Sequence, residues 1–564
     1  MRRKTKRDNK EFVHKKLLIF APHQDDEINI AGSLMVSFIK MGGNVFVCYA
    51  TNSDYEFNAD IRVNEAIKAC KKIGISKDHI ILLGFGDTSD SEDTHFYNSD
   101  DVTISHAMRT ETYGACGIDD YSFIRDGSHA KYSRKAFDRQ IYNIINEIRP
   151  DYVACTDIDE HPDHRMLSIS FDFNMGKILN ENPNYRPIVL KRFAYPLAYH
   201  GYPNYLSKNV CSTKRPNLGD LYKFNYDVFE LDQYSWDKRI RIPNYYANAR
   251  FLWDDLLYRA VGRYYSQYGL LNVTKILNGD EVFWEKRSDN LVFLAELVVS
   301  SGNYEYLRDF KTYDLADVMG VKPQMKKCGW SPSIEDEKPY IGLTWRKPVR
   351  ISEIRISIDP AVDCVPKMVE IYVEDTQIYI GDFSGCKSQL IIPLNEIKAD
   401  NLKLVFNKSE KTFSISELEV FESRDITVSS CFPKLSINDD LAYSTYFLEK
   451  GESVVIDAIN CENSSIIVNG KTFKKGDNFV RAKDIPYRVE LVNGSTKIIE
   501  DKVIIRGKNI FDIFYSILNN FYYRCGMIWA RSFGFAFRVL YALKTYGFLE
   551  LYKRIKNKWN NQGI

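Results

Sequence analysis

The sequence reads as a multidomain chain of mixed α/β and all-β class. A Rossmann-like parallel-sheet domain comes first, two β-sandwich modules follow, and a basic amphipathic helical tail closes the chain. Three observations predict this. Near-unbroken apolar runs of strand length (17–21, 45–50, 80–83 and 152–155) alternate with helix-spaced segments through the first 180 residues. That is the pattern of a parallel sheet covered on both faces. Near residue 320 the texture changes to short alternating runs such as 349–358, 369–373 and 402–406, bounded by turn residues, as in β-sandwiches. The last stretch returns to helical spacing, with Phe, Tyr, Leu and basic residues interleaved.

At 564 residues the chain exceeds what one hydrophobic core can serve. Five segments are expected: a basic arm over 1–15, an α/β domain over 16–318, a β-sandwich over 319–424, a small Ig-like β unit over 425–506 and the tail over 507–564. A composition of 45% hydrophobic and 27% charged residues describes a folded globular chain. A net charge of +1 excludes a general nucleic-acid binder. The basic residues nevertheless cluster at both ends, in the first 16 residues and from Arg506 onward. Eleven cysteines without a C-x-x-C pair suit small buried side chains in a reducing compartment, so a cytoplasmic protein is expected. The apolar run after the basic start is too short for a signal peptide, and nothing approaches the roughly 18–20 apolar residues of a membrane span.

Element by element, strand 17–21 leads into helix-spaced Ile30, Leu34 and Phe38, stopped by Gly42-Gly43. Strand 45–50 is followed by a helix over 61–73 ended by Gly74, then strand 80–83. After a polar, acidic insert over 87–101, expected to be a solvated loop or lid, comes a helix over 137–148. Arg149-Pro150 ends it and leads into strand 152–155. Residues 205–315, rich in Tyr and Trp, are read as completing the same domain, and Asp280–Trp284 as either closing the pocket or packing. Asn469-Gly470 is a hairpin signal in the second β unit.

Two strand ends carry the chemistry: Pro22-His23-Gln24-Asp25-Asp26-Glu27 and His161-Pro162-Asp163-His164. In an open α/β sheet, ligands bind beyond the carboxyl ends of the strands, where strand order reverses. His23 and Asp26 lie one helical turn apart and His164 arrives from the other strand. Two imidazoles and a carboxylate make the donor set of a catalytic zinc site with an open position. Asp25, beside Asp26 on a different vector, is free to act as general base. His161 can present an imidazolium to a developing oxyanion or protonate a leaving amine. Asp163 is a catalytic candidate that would orient a histidine.

These motifs resemble those of the PIG-L/LmbE family of zinc-dependent N-deacetylases, whose first motif is (A/P)-H-P-D-D-E and whose second is H-P-D-H. The likeness extends to Arg62 and Glu65 and to Leu83-Gly84-Phe85 with Asp87, and covers roughly residues 16–315. The departure is Gln24 in place of proline, which would stiffen the loop. The resemblance implies one Zn²⁺ per chain, with other divalent ions able to substitute, on His23, Asp26 and His164. It implies Asp25 as base and His161 as the electrostatic or acid group. Arg62 and Asp87 would meet the sugar. Tyr113 and Tyr132 are read either as lining its pocket or as ordinary loop and core aromatics. The expected reaction is removal of acetate from an N-acetylated amino sugar in a cell-surface glycan or its lipid-linked precursor. The rival readings are a zinc amidase for a larger acyl group and a non-catalytic glycan-binding scaffold.

Residues 320–424 resemble galactose-binding-like modules, with Trp330, Trp345, Tyr372 and Tyr379 as aromatics for either sugar stacking or the core. The tail, with Phe533, Phe535, Phe537, Leu540 and Tyr541 among Arg531, Arg538, Lys544, Lys553, Arg554, Lys556 and Lys558, suits an anionic membrane surface. A peripheral seat on the inner face of the membrane is therefore one expectation. Docking on the protein's own domains or on a partner is the other.

Overall fold

The computed structural model describes residues 12–89, 94–195, 209–215, 231–244, 251–271, 278–320, 324–407, 411–424 and 431–561, with side chains described as far as Thr545. The acidic centre of the 87–101 insert, most of the basic arm and the tail's Lys553, Arg554, Lys556 and Lys558 side chains lie outside the described residues.

The N-terminal domain is built on β1 (Lys16–Ala21), α1 (Asp26–Lys40), β2 (Asn44–Thr51), α2 (Ala59–Ile73), β3 (Ile80–Phe85), α3 (Tyr121–Asp126), α4 (Arg134–Ile148), β4 (Tyr152–Thr156), α5 (Pro162–Glu181) and β5 (Ile188–Arg192). The sheet then gains β6 (Ile240–Pro243) and β7 (Asp280–Arg287), with α6 (Leu256–Val261) between them. Strand order is β3-β2-β1-β4-β5-β7-β6. β1 to β5 pair in parallel, whereas β7 runs antiparallel to both its neighbours. From β1 the chain winds outward through β2 and β3, then returns to place β4 on the other side of β1. The order therefore reverses between β1 and β4, the two strands whose carboxyl ends carry the motifs. Register sets Phe20 beside Cys155, so both chains leave the sheet at the same level.

Sheet side chains alternate between two cores. Leu17, Ile19 and Ala21 pack with α1, α2 and α6, while Leu18 and Phe20 pack with α4 and α5. Helix α1 is broken at Ala31 (φ −147°, ψ 25°). The carboxylate of Glu281 on β7 accepts the amides of Ser33 (2.6 Å) and Leu34 (3.0 Å), capping the second half of the helix. Asp280 meets Arg241 at 2.7 Å. The segment 280–284 is thus a sheet strand with a capping role, which corrects the expectation that it could close the pocket.

The first sandwich is larger than expected on its N-terminal side. Strand Glu296–Val299 pairs with the long strand Tyr340–Ile358, and Leu291, Val292, Ala295 and Leu307 belong to the sandwich core. Phe310, Tyr313, Leu315 and Val318 then return to the α/β core, so the chain crosses the boundary twice before 319. Trp330 (0% exposed) and Trp345 (4%) are core residues whose indole N–H groups donate to Ser301 O and Leu291 O. They offer no face to a sugar. Tyr372 and Tyr379 are half-buried on paired strands. The second β unit packs two sheets over a core that includes Leu435, Ile456 and Leu491. Its Asn469-Gly470 turn has φ of 47° and 80°, the left-handed pair such a hairpin demands. The chain ends in one helix, α7 (Ile510–Asn561).

Candidate metal centre and active site

The first motif is a loop held at both ends. Pro22 O accepts the Thr51 amide (3.1 Å), which ties the end of β1 to the end of β2. Gln24 is fully buried; its amide nitrogen donates to Thr51 O (2.9 Å) and its backbone N–H to Ser53 Oγ (3.2 Å). A proline there would supply neither donor, so hydrogen bonds provide the stiffness that a ring provides elsewhere. Asp25 has φ of +128°, a sparsely populated conformation for a residue with a Cβ. Its N–H donates to Glu27 (3.0 Å), its side chain meets Arg62 Nη2 at 3.4 Å, and the same guanidinium donates to Gln24 O.

Asp26 opens α1 and His164 lies in the first turn of α5, where His161 is the cap and Pro162 the first helical residue. Asp26 Oδ2 is 3.1 Å from His23 Nδ1 and 3.1 Å from His164 Nε2. Donors bonded at about 2.0–2.1 Å to a tetrahedral zinc stand roughly 3.3 Å apart, so these spacings fit a shared ion. His164 Nε2 supplies a second test: it is buried and makes no well-aligned hydrogen bond, its nearest donor-set neighbour being Asp26 Oδ2 at 3.1 Å, while the opposite ring nitrogen is bound to Asp159 at 2.8 Å. An acceptor nitrogen sealed from water and aimed at two other donors suits a metal. The nitrogens of His23, His161 and His164 also lie within 4.8 Å of one another.

Each expected ligand histidine is held from behind by a carboxylate. Asp159 takes His164 Nδ1, and also accepts the amides of His161 (3.3 Å) and Ala194 (3.1 Å). Asp163 takes His23 Nε2 (2.9 Å), together with His95 Nε2 (2.7 Å) and the Thr88 amide (3.1 Å). Such partners fix the tautomer and aim of a ligating ring. Asp163 is fully buried in this role, so it positions His23 and does not reach the substrate side. His95 corrects the view of the 87–101 insert as solvated loop: it is 3% exposed, and Phe96 and Tyr97 beside it join the core.

Charge separates the remaining groups. Burial pushes Asp25 up to about 6, opposed by Arg62. Burial is also the largest influence on His161, and with the neighbouring His23 it holds that ring well below the ordinary histidine range. His161 Nδ1 accepts the Asp163 N–H (3.2 Å), so a neutral ring carries its proton on Nε2. In that state the ring offers a neutral N–H donor, and the imidazolium expected from sequence would offer the same donor with a charge.

The expected sugar contacts are redistributed. Arg62 is 4% exposed and braces the loop; its Nη1 reaches Ser266 Oγ (3.4 Å), and Ser266 is held by Glu65 (2.7 Å). Asp87 Oδ1 stands 3.1 Å from His23 Nε2, behind the ligand set. Tyr113 remains half-exposed, its hydroxyl on Asp54 (2.6 Å) and its ring under Arg109. Tyr132 is 1% exposed and packs on Phe85, so it belongs to the core and not to a pocket wall. Sequence reading missed Asp159, His95, Asp54 and Ser266. Asp159 alone carried a signal, lying two residues before the second motif.

Residues 18–170 match the family described as PIG-L, GlcNAc-PI de-N-acetylase. Comparison with curated proteins gives no significant match. Among solved structures, N,N'-diacetylchitobiose deacetylase from Pyrococcus horikoshii is 17% identical, with 32% of this chain and 61% of that chain covered and a TM-score of 0.22. CpGH89CBM32-6 of Clostridium perfringens is 18% identical, covering 24% and 99% of the respective chains at a TM-score of 0.19. The family 32 CBM of C. perfringens NanJ, in complex with galactose, is 15% identical over 23% and 93%, also at 0.19. The segment from Leu18 to Ser170, which holds both strand-end motifs, is a PIG-L family domain.

Proposed function

We propose that this protein is a zinc-dependent N-deacetylase acting on an N-acetylated amino sugar of a cell-surface glycan or its lipid-linked precursor. The PIG-L domain supports a hydrolytic deacetylase. One observation carries the finer reading: Asp25 stands beside Asp26, His23 and His164, yet its side chain is 28% exposed and lies outside the network behind the ligands. That is the placement a base facing bound substrate requires.

A divalent ion on His23, Asp26 and His164 would supply Lewis-acid polarisation of the amide carbonyl and a more acidic nucleophilic water. Asp25 takes a proton from the attacking water as its oxygen bonds to the carbonyl carbon. His161 Nε2–H donates to the carbonyl oxygen as negative charge gathers there. The C–N bond then breaks, the proton held by Asp25 passes to the departing nitrogen, and acetate and a free amine result. Arg62 keeps Asp25 aimed during these transfers. Eleven cysteines without a C-x-x-C pair, with Cys48 and Cys155 buried in core strands, support a reducing compartment.

The test is acetate release from a panel of N-acetylated sugars and envelope glycans, with and without chelator. Chelator-sensitive release that is lost in Asp25→Asn, with zinc content held near one per chain, is expected. Release unaffected by Asp25→Asn would refute the role of that residue. Absence of stoichiometric metal in the purified chain would refute the hydrolase, and release of a larger acid would replace the acetyl substrate.

A further inference from the structure

Helix α7 has two apolar faces, and only one of them is used. On the inner face Asn519 accepts the Leu252 amide (2.9 Å), Tyr541 accepts that of Asn58 (3.0 Å), and Arg538 donates to Ser266 O (2.8 Å) and pairs with Glu56. Gly526 and Gly534 let the helix lie close against Tyr258 and Tyr268: a Cβ at either would come within 2.5 Å of those side chains. The opposite face repeats at helical intervals through Ile510, Phe514, Ile517, Phe521, Ile528 and Phe535, all between 57% and 76% exposed. Cys525 and Ser532 are the small residues on this stripe, and Trp529 (50%) and Leu540 (65%) widen one side of it. At 1.5 Å per residue the stripe runs for roughly 38 Å.

We propose that this stripe seats the protein on the surface of an anionic phospholipid bilayer. Water is a poor environment for so long a row of Phe and Ile, and charge selects the partner. Arg524 and Arg531 are exposed along one edge of the stripe, and Lys544 lies further along the helix. Asp512, the acid near the stripe's start, is paired with Arg506 at 2.8 Å. The sequence of the same helix continues with Lys553, Arg554, Lys556 and Lys558 against Glu550. Apolar side chains flanked by cations are the composition of a helix lying in the interfacial plane, with the cations at headgroup level. Among the described residues no helix is long and apolar enough to cross a membrane, so α7 lies on the bilayer and does not span it.

The experiment is co-sedimentation of the full chain with vesicles of phosphatidylcholine containing phosphatidylserine, against phosphatidylcholine alone, at low and high salt. Binding that needs phosphatidylserine and weakens with salt is expected. Phe514→Ser with Phe521→Ser and Ile528→Ser should lower partitioning at least about tenfold. Far-UV circular dichroism and the unfolding midpoint should stay unchanged, because these side chains contact little of the protein. Arg524→Glu with Arg531→Glu should abolish the preference for phosphatidylserine. Wild-type protein left in the supernatant, or bound equally by the triple variant, would overturn the proposal. A lipid-free dimer that the triple variant dissolves would assign the stripe to a second copy of the chain instead.

Discussion

Replacing Asp159 tests whether the metal centre is organised as its geometry indicates. Asp159 touches no expected ligand atom; it acts on the far nitrogen of His164, at 2.8 and 3.0 Å from its two oxygens. Asp159→Asn keeps the shape and one accepting oxygen but removes the charge, while Asp159→Ala also removes the anchor for the amides of His161 and Ala194. Carboxylates behind a ligating imidazole contribute about 10- to 100-fold in metal affinity, or roughly 1.4–2.8 kcal/mol at about 1.4 kcal/mol per tenfold. Asparagine should lie at the lower end and alanine at the upper. The assay is competition for Zn²⁺ against a chromophoric chelator at fixed pH. Asp163→Asn, acting on His23 through the same kind of contact, should give a loss of similar size. Wild-type zinc affinity in a folded Asp159→Ala protein would refute the assignment of His164 Nε2 as a ligand atom.

Further outcomes follow from the surrounding structure. His164→Ala should lose bound zinc and activity together, measurable by metal analysis, and retained stoichiometric zinc would remove His164 from the donor set. Gln24→Pro restores the commoner motif but deletes the donors to Ser53 and Thr51; a lower unfolding midpoint is expected, and an unchanged one would show that those bonds add nothing. Trp330→Ala should cost about 3–5 kcal/mol in denaturant unfolding, as a fully buried indole. A near-neutral result would contradict its place in the sandwich core. Burial raises Glu281 from 4.5 to about 7. The folded chain therefore binds more protons than the unfolded one between those values, so this group's contribution to stability falls as pH rises from about 4.5 to 7 and is level above. That contribution amounts to up to about 3 kcal/mol at roughly 1.4 kcal/mol per pH unit. Glu281→Gln should flatten the slope over that window, and an identical slope in both proteins would dismiss the assignment.

What could be read from the sequence was what repeats or punctuates. The buried strands announced themselves as apolar runs, and Gly74 marked the end of α2 in a left-handed C-cap. The reversal of strand order between β1 and β4 followed from the motifs falling at those strand ends. What could not be read depends on partners far along the chain. Arg62 looks like a sugar contact when seen beside the motif, but its surroundings include Gln24 O and Ser266 Oγ, the latter 204 residues away. Glu281 looks like a pocket residue until the break at Ala31 leaves amides that only a distant carboxylate reaches. Tyr132 and Trp330 show why aromatic content alone does not locate a sugar site: both rings are needed to fill cores.

The strained conformation of Asp25 links these distant contacts to the chemistry. A non-glycine residue held at φ +128° costs on the order of 1–3 kcal/mol, and it persists only where its surroundings over-determine it. Here they do, through Glu27 on its N–H, through Ile28 on its C=O and through Arg62 on its side chain and the preceding carbonyl. Arg62 is in turn fixed by Ser266 and Glu65, and Ser266 offers its carbonyl to Arg538 of α7. Asp25, the base of the proposed reaction, is therefore aimed by a chain of contacts that ends on the C-terminal helix. Arg538→Ala should accordingly lower kcat for acetate release with little change in zinc content, whereas Arg531→Ala, two turns away and exposed, should leave kcat alone. Equal kcat in the two variants would show that the loop holds Asp25 without help from the helix.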